Sequence, residues 1–386
     1  MQIRDGRATV SAPAGASQTS PTGRTLERPR LACGALFIDG AGAMTRVGTA
    51  VVVPMLLAVL AAVMVLATGF GAESLPVSGV VEVLTHRLSG RIPPDPGLDT
   101  IVWQLRVPRT VLAAIVGAGL ALAGAAMQTL VRNPLADPFL LGVSSGAGVG
   151  AAAVITSGVF AGAGIWALSG GALAGAFAAA ALVFVIAVTQ GGLTPLRLVL
   201  TGTVLASAFS ALTSYLIFRS TDPAAAQSVL FWLLGSLAGA DWTKIAVPLV
   251  VVAISAVGLV AAAGWLDALH LGADAAGSIG VPVRELRIAL FVLLAVLVGV
   301  LVAVSGGIGF VGLVVPHAAR LVVGPRHRAL LPTCALLGAL FLVIADAATR
   351  VLVRPTEIPV GVLTGLIGAP AFLLLMGRRH YRFGTS

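Results

Sequence analysis

The run IALFVLLAVLVGVLVAV at residues 288–304 contains no charged and no polar side chain. Arg284, Glu285 and Arg287 precede it and Ser305-Gly306-Gly307 closes it. That is the form of a membrane-crossing helix, which needs roughly 20 mostly apolar residues. Working outward from it, comparable runs occur at about 47–67, 108–130, 139–158, 170–188, 198–218, 244–264, 309–323, 329–350 and 359–377. The expectation is a ten-helix polytopic bundle, an all-α integral membrane protein, with the 309–323 span short and glycine-rich at its start. No alternating pattern suggests a barrel, and an open sheet cannot sit in lipid.

Composition agrees. Of 386 residues, 58% are hydrophobic and 10% charged, and the mean hydropathy is +1.03. Soluble domains are about 45–50% apolar and about 25% charged, so a water-facing surface cannot be built here. A soluble enzyme or a disordered chain is excluded. Cys33 and Cys334 are too few for a disulfide scaffold or a cysteine-built metal site. The formal charge of +9 does not point to nucleic acid, because the basic residues cluster at the ends of the apolar runs. Most fall on the side of the N-terminus, which places both termini in the cytoplasm.

Residues 1–45 are rich in Gly, Ser, Pro, Ala and Arg and read as a disordered cytoplasmic tail. Met44 is a candidate second translation start. The transmembrane domain runs over 46–378, and 379–386 form a short cytoplasmic tail.

Catalytic motifs are missing. Lys244 is the single lysine among 24 basic residues, and no Gly-Lys-Ser/Thr precedes a helix, so the chain has no phosphate-binding loop. The five histidines are scattered. Gly307, Gly309 and Gly312 match a dinucleotide pattern, but the next acid is Asp346, and the plainer reading is a backbone turn entering a short helix. Glycines four apart (Gly142, Gly146 and Gly150; Gly171 and Gly175; Gly235 and Gly239; Gly361 and Gly365) let membrane helices approach closely.

Four features could serve transport. Asp346 and Arg350 are four residues apart and share a helix face, where they can pair. Thr203, Ser207, Ser210 and Ser214 form one polar stripe, able to line a path or to pack helix on helix. Between spans, Trp265–Arg287 forms an insert in which Gly272 and Gly280 bracket a short helix, Ala273 to Ile279. Ala275, Ala276 and Ile279 can share a face there and plug a partner's groove. Arg106 and Arg109 sit at one mouth of the bundle with Arg350, fitting either acidic partner groups or interfacial snorkelling.

Longer blocks then match a family. They are Arg-Val-Pro-Arg-Thr (106–110), Gly117 through Met127-Gln128, Arg132-Asn-Pro-Leu-Ala-Asp-Pro138 and Leu-Gly-Val-Ser-Ser-Gly-Ala (141–147). Further blocks are Trp232 to Gly239, Leu271-Gly272, Gly-Phe-Val-Gly-Leu-Val-Val-Pro-His (309–317), Leu-Leu-Pro (330–332), Glu357-Ile-Pro-Val-Gly361 and Leu366 to Pro370. Over about 50–378 the chain resembles the FecCD family of ABC-importer permeases. The resemblance implies a type II permease in the plasma (inner) membrane, working as a dimer with itself or a close paralogue. It implies two cytoplasmic ATPase subunits and an extracytoplasmic substrate-binding protein. ATP and Mg would sit on the ATPase, with no cofactor, metal or catalytic residue on this chain. It assigns Arg106, Arg109 and Arg350 to binding-protein docking. Leu271, Gly272, Ala275, Ala276, Ile279 and Gly280 fall in the ATPase-coupling segment, and 222–239 matches a short outer helix. Thr203, Ser207, Ser210 and Ser214 remain candidates for the path. The gate near Thr194–Leu196 does not align residue by residue, and Pro195 departs from the pattern. A ferric siderophore is the expected cargo, with haem or cobalamin as alternatives. An ion-driven secondary carrier is the rival class, but such carriers need midplane ionisable groups that are scarce here.

Overall fold

The computed structural model describes residues 49–71, 73–353 and 356–377. The expectations for residues 1–45, Met44 and 379–386 lie outside them. The described chain is helical: α1 Thr49–Gly69, α2 Val77–Leu88, α3 Pro96–Asp99, α4 Val107–Leu130, α5 Val143–Ser157, α6 Ala167–Thr189, α7 Pro195–Arg219 and α8 Pro223–Leu233. There follow α9 Ala246–Ala261, α10 Ala263–Leu271, α11 Ala273–Ser278, α12 Val283–Ser305, α13 Val311–Val323, α14 His327–Thr349 and α15 Val360–Gly377.

Each of the ten apolar runs contains a helix, but among the described residues 7 helices, counting short lead-in turns, are long and apolar enough to cross a membrane, so the expected count of ten is not confirmed. The runs at 139–158, 309–323 and 359–377 yield the shorter helices α5, α13 and α15. Backbone turns shorten two of them. Gly142 and Gly158, both in the left-handed region, bracket α5, and Phe310 at φ 67° opens α13. The Gly307–Gly312 pattern is thus a turn into a helix, as its sequence setting suggests.

Helix α4 is the axis of the fold. Its apolar window is 83% buried, against 17% for α1 and 22% for α7. Apolar residues surround α4 on every side, so it must be enclosed by protein, and α9, α12, α13 and α14 pack against it. The sparsely buried faces of α1 and α7 are left for lipid or another chain. Gly146 and Gly150 on α5 meet Gly175 and Gly171 on α6, and a Cβ on Gly150 would land on the Gly171 carbonyl oxygen. The four-residue glycine spacing is therefore a helix contact. The same device joins α4 to α14, where Gly117 faces Gly338.

One element is absent from the expectations. Helix α2 buries Val80 and Val83 against Val102 in a small separate core. Arg87 pairs with Asp99 and lies 5.9 Å from the Trp103 ring centre, while Trp242 Nε1 donates to the Trp103 carbonyl at 2.9 Å. Its apolar positions are too few to stand out beside the long spans.

Candidate functional site

Chemistry-bearing side chains gather at the two ends of α4, about 36 Å apart at 1.5 Å per residue. At its start, residues 100–106 form a wide π-turn whose continuation, Val107 N–H, donates to Val102 O. Pro108 lacks the N–H that a regular turn would use here. Arg109, one turn into α4, reaches α14. Its Nε lies 2.9 Å from Asp346 Oδ1 and its Nη1 lies 2.8 Å from Glu357 Oε2. Arg350 Nη2 approaches Asp346 Oδ2 at 3.2 Å, and Arg350 Nη1 donates to the Phe70 carbonyl at 3.0 Å. Asp346 is fully buried, shared between two guanidinium groups.

Arg106 turns the other way. It donates to the carbonyls of Thr68, Gly69 and Glu73 at 3.1, 2.9 and 2.6 Å, tying the end of α1 to the start of α4. The Asp346–Arg350 pair expected from spacing is present. What spacing could not give is Arg109 and Glu357 in the same network, 237 and 11 residues from Asp346 along the chain. The structure brings Arg106, Arg109 and Arg350 to one end of the bundle, but not as open or snorkelling charges. Arg109 is 8% and Arg350 4% exposed, and each is already bonded within the chain. Glu357, with a side chain 38% exposed, is the outermost carboxylate bonded to Arg109.

At the other end of α4, the α10–α11 segment is pinned to the bundle. Asp267 Oδ1 accepts from the His327 backbone N–H at 2.9 Å and contacts His327 Nδ1 at 2.6 Å. His327 Nε2 lies 2.8 Å from Thr129 Oγ1 on α4. His270 stands edge-on to His327 with ring centres 6.3 Å apart. Neighbouring positive charges Arg320 and Arg132 add to burial in holding the His270 pKa below its ordinary value. Gly272 at φ 136° and Gly280 at φ 84° bracket α11, as expected.

The face of α11 differs from the expectation. Ala276 is fully buried against this chain and cannot join Ala275 and Ile279 on a partner-facing surface. Because α11 lies flat against α12 and α10, one residue per turn points inward, and Ala276 is that residue. Leu271 and Ile279 point outward, 74% and 70% exposed, with Ala275 also exposed. The first part of the insert is helical, as α10 Ala263–Leu271.

Thr203, Ser207, Ser210 and Ser214 lie together on the exposed face of α7. Three of their hydroxyls bond back to the carbonyl four residues earlier, at 2.8, 3.1 and 3.0 Å. They therefore do not pack α7 onto another helix of this chain. Among the described residues no cluster of three or more His, Cys, Asp or Glu could hold a metal.

Asp137, in the loop after α4, caps the following turn by accepting from Phe139 N–H at 2.8 Å. Desolvation outweighs that bond and pushes its carboxyl up to about 6. An unfolded chain ionises it near its ordinary value, so the folded state holds the extra proton between about pH 4 and 6. Stability therefore falls as pH rises through that window and is flat above it. Asp137→Asn keeps the accepting oxygen and should be roughly 2–3 kcal/mol more stable than wild type at pH 7.5, with no difference at pH 4. Thermal unfolding in detergent at the two pH values checks this, and equal melting at pH 7.5 would refute it.

Residues 57–378 match the FecCD transport family. The chain is 40% identical over 335 residues to the uncharacterized ABC transporter permease protein YvrB of Bacillus subtilis, covering 85% of this chain and 93% of that one. It is 43% identical over 286 residues to the cobalamin import system permease protein BtuC of Halobacterium salinarum, covering 74% and 75%. A solved metal-chelate type ABC transporter in an inward-facing conformation superposes with a TM-score of 0.75 at 34% identity, over 85% of this chain and 99% of that one.

Proposed function

The chain belongs to the FecCD transport family and is an ABC importer permease of the BtuC type; from that premise we propose that it moves a metal chelate across the membrane by alternating access. The cargo in this reading is a ferric siderophore, with haem and cobalamin as the alternatives. A relative named for cobalamin import and a neighbour described as metal-chelate type support the chelate class. Ten segments cross the membrane, with α5, α13 and α15 completing the seven long spans, and both termini are cytoplasmic. Two copies, or this chain and a close paralogue, enclose the path, and two cytoplasmic ATPase subunits bind ATP and Mg. A substrate-binding protein delivers cargo from outside. This chain is a transport component with no covalent chemistry and no cofactor of its own.

The observation that carries the reading is the α10–α11 arm. It projects Leu271 and Ile279 into solvent while Asp267 and the buried Ala276 hold it to the bundle. An arm of that kind passes a partner's movement to α14 and α4 without absorbing it, because His327 bonds both Asp267 and Thr129. Two stable packings of the bundle would then alternate as the ATPase pair opens and closes. The exposed hydroxyls of Thr203, Ser207, Ser210 and Ser214 suit a weakly binding path covered by a second copy. Arg106, Arg109 and Arg350 serve docking in this reading, with acidic groups of the binding protein taking the place of Glu357 at Arg109.

Leu271→Asp with Ile279→Asp should reduce ATPase co-purification roughly ten-fold or more while leaving the permease folded, since both side chains lie outside its core. Undiminished co-purification would remove the coupling assignment. Radiolabelled uptake of ferric siderophores, haem and cobalamin, with and without the ATPase subunit, tests cargo and class together. Uptake that survives ATPase loss but collapses with the ion gradient would replace this reading by the carrier class.

A further inference from the structure

A cavity of about 560 Å³ lies where the end of α6 and the turn after it meet the start of α12. That volume is within the usual range for ligand sites, about 300–1,000 Å³. Arg284, Arg287 and the Gly191-Gly192 turn line one side, and Phe184 and Ile288 line the other. No carboxylate lines it; Glu285, adjacent in sequence, is outside the lining.

One buried donor here lacks an acceptor. Arg287 Nε is buried and makes no hydrogen bond among the described residues. Neither Arg284 nor Arg287 enters an ion pair among them. The Arg197 guanidinium adds a further positive charge at the rim, 3.0 Å from where a Cβ on Gly191 would lie. Helix α12 begins at Val283 with no side-chain cap from its N-cap Pro282, so the positive end of its dipole lies at the cavity that Val283 and Arg284 line. The half-buried Arg287 guanidinium is costly without a counter-charge, and an anion in the cavity, which the exposed Arg284 would also face, would offset that cost.

We propose that this cavity is a binding site for a phosphodiester anion, occupied by the headgroup of an anionic phospholipid. The cavity sits where two membrane-crossing helices end, which is headgroup depth. Its apolar wall of Phe184 and Ile288 offers a seat to the first acyl carbons, which free phosphate cannot use. The proposal needs only that the chain sits in a bilayer; the cavity borders Thr194 and the Trp265–Arg287 insert, and its test does not depend on their transport roles.

The test is native mass spectrometry of the full chain released from nanodiscs of phosphatidylcholine with phosphatidylglycerol. Wild type should retain phosphatidylglycerol in preference to phosphatidylcholine. Arg284→Gln with Arg287→Gln should lower that retention roughly twenty-five-fold, at about five-fold per cation. Arg284→Lys with Arg287→Lys should keep most of it. Ile288→Trp, which fills the cavity and leaves both charges, should lower it as well and covers the case in which the glutamine pair does not fold. Equal retention by wild type, the glutamine pair and the tryptophan variant would overturn the site. Retention of inorganic phosphate in pure phosphatidylcholine discs, lost in the same variants, would overturn the lipid as occupant.

Discussion

Arg109→Glu should leave almost no folded protein. The new carboxylate would stand beside Asp346 and Glu357, with Arg350 the one remaining cation bonded to Asp346. Breaking a buried ion pair by removing one partner costs about 3–5 kcal/mol, and here a like charge is added as well. A whole domain is stable by only about 5–15 kcal/mol. Fluorescence-detected gel filtration should therefore show loss of the monodisperse peak. Arg109→Lys keeps the charge but loses the planar fork that reaches both carboxylates, and should cost roughly 1–3 kcal/mol. Arg106→Glu should be milder, because among the described residues the hydrogen bonds of Arg106 go to carbonyl oxygens. A normal yield of Arg109→Glu would show that this network is not needed for the fold. A defect in transport without a defect in folding therefore calls for Arg106 or Glu357 rather than Arg109.

Gly150→Val should be comparably severe for a steric reason. A Cβ at Gly150 falls on the Gly171 carbonyl oxygen, which is backbone inside α6 and cannot rotate away. Relief requires α5 and α6 to separate along their contact, opening the interface that Gly146 and Gly175 also close. Overpacking at a flexible site costs about 1–3 kcal/mol, and a rigid one costs more. Gly162, with nothing within 4 Å of an added Cβ, is the control, and Gly162→Ala should be neutral. Thermal unfolding of the three proteins in detergent decides the matter: a Gly150→Val melting point within a degree or two of wild type would refute the close contact.

The membrane class, the positions of the apolar helices and the small-residue spacing that brings α5 against α6 are legible in the amino-acid sequence alone. Each rests on a local, periodic signal: runs of apolar residues, or small residues at the helical repeat. The pairing of Asp346 with Arg350 is legible for the same reason, since residues four apart on a helix share a face. The motif blocks carry the family.

Other features depend on elements far apart in the chain, and only the tertiary structure decides them. Arg109 and Glu357 meet Asp346 because α4 packs against α14, and nothing near position 109 announces that. Arg109 and Arg350, which spacing alone leaves free at one mouth of the bundle, are thereby bonded within the chain. The same logic turns Ala276 inward: α11 has too few residues for a periodic signal, and its inner face is set by the α10 and α12 that it rests on. His327 becomes the link between Asp267 and Thr129 through the meeting of three helices, one of them starting at that residue. What a segment contains determines whether it enters the membrane. Which of its charges are spent inside the protein, and which stay available to partners, is settled by the neighbours that packing brings.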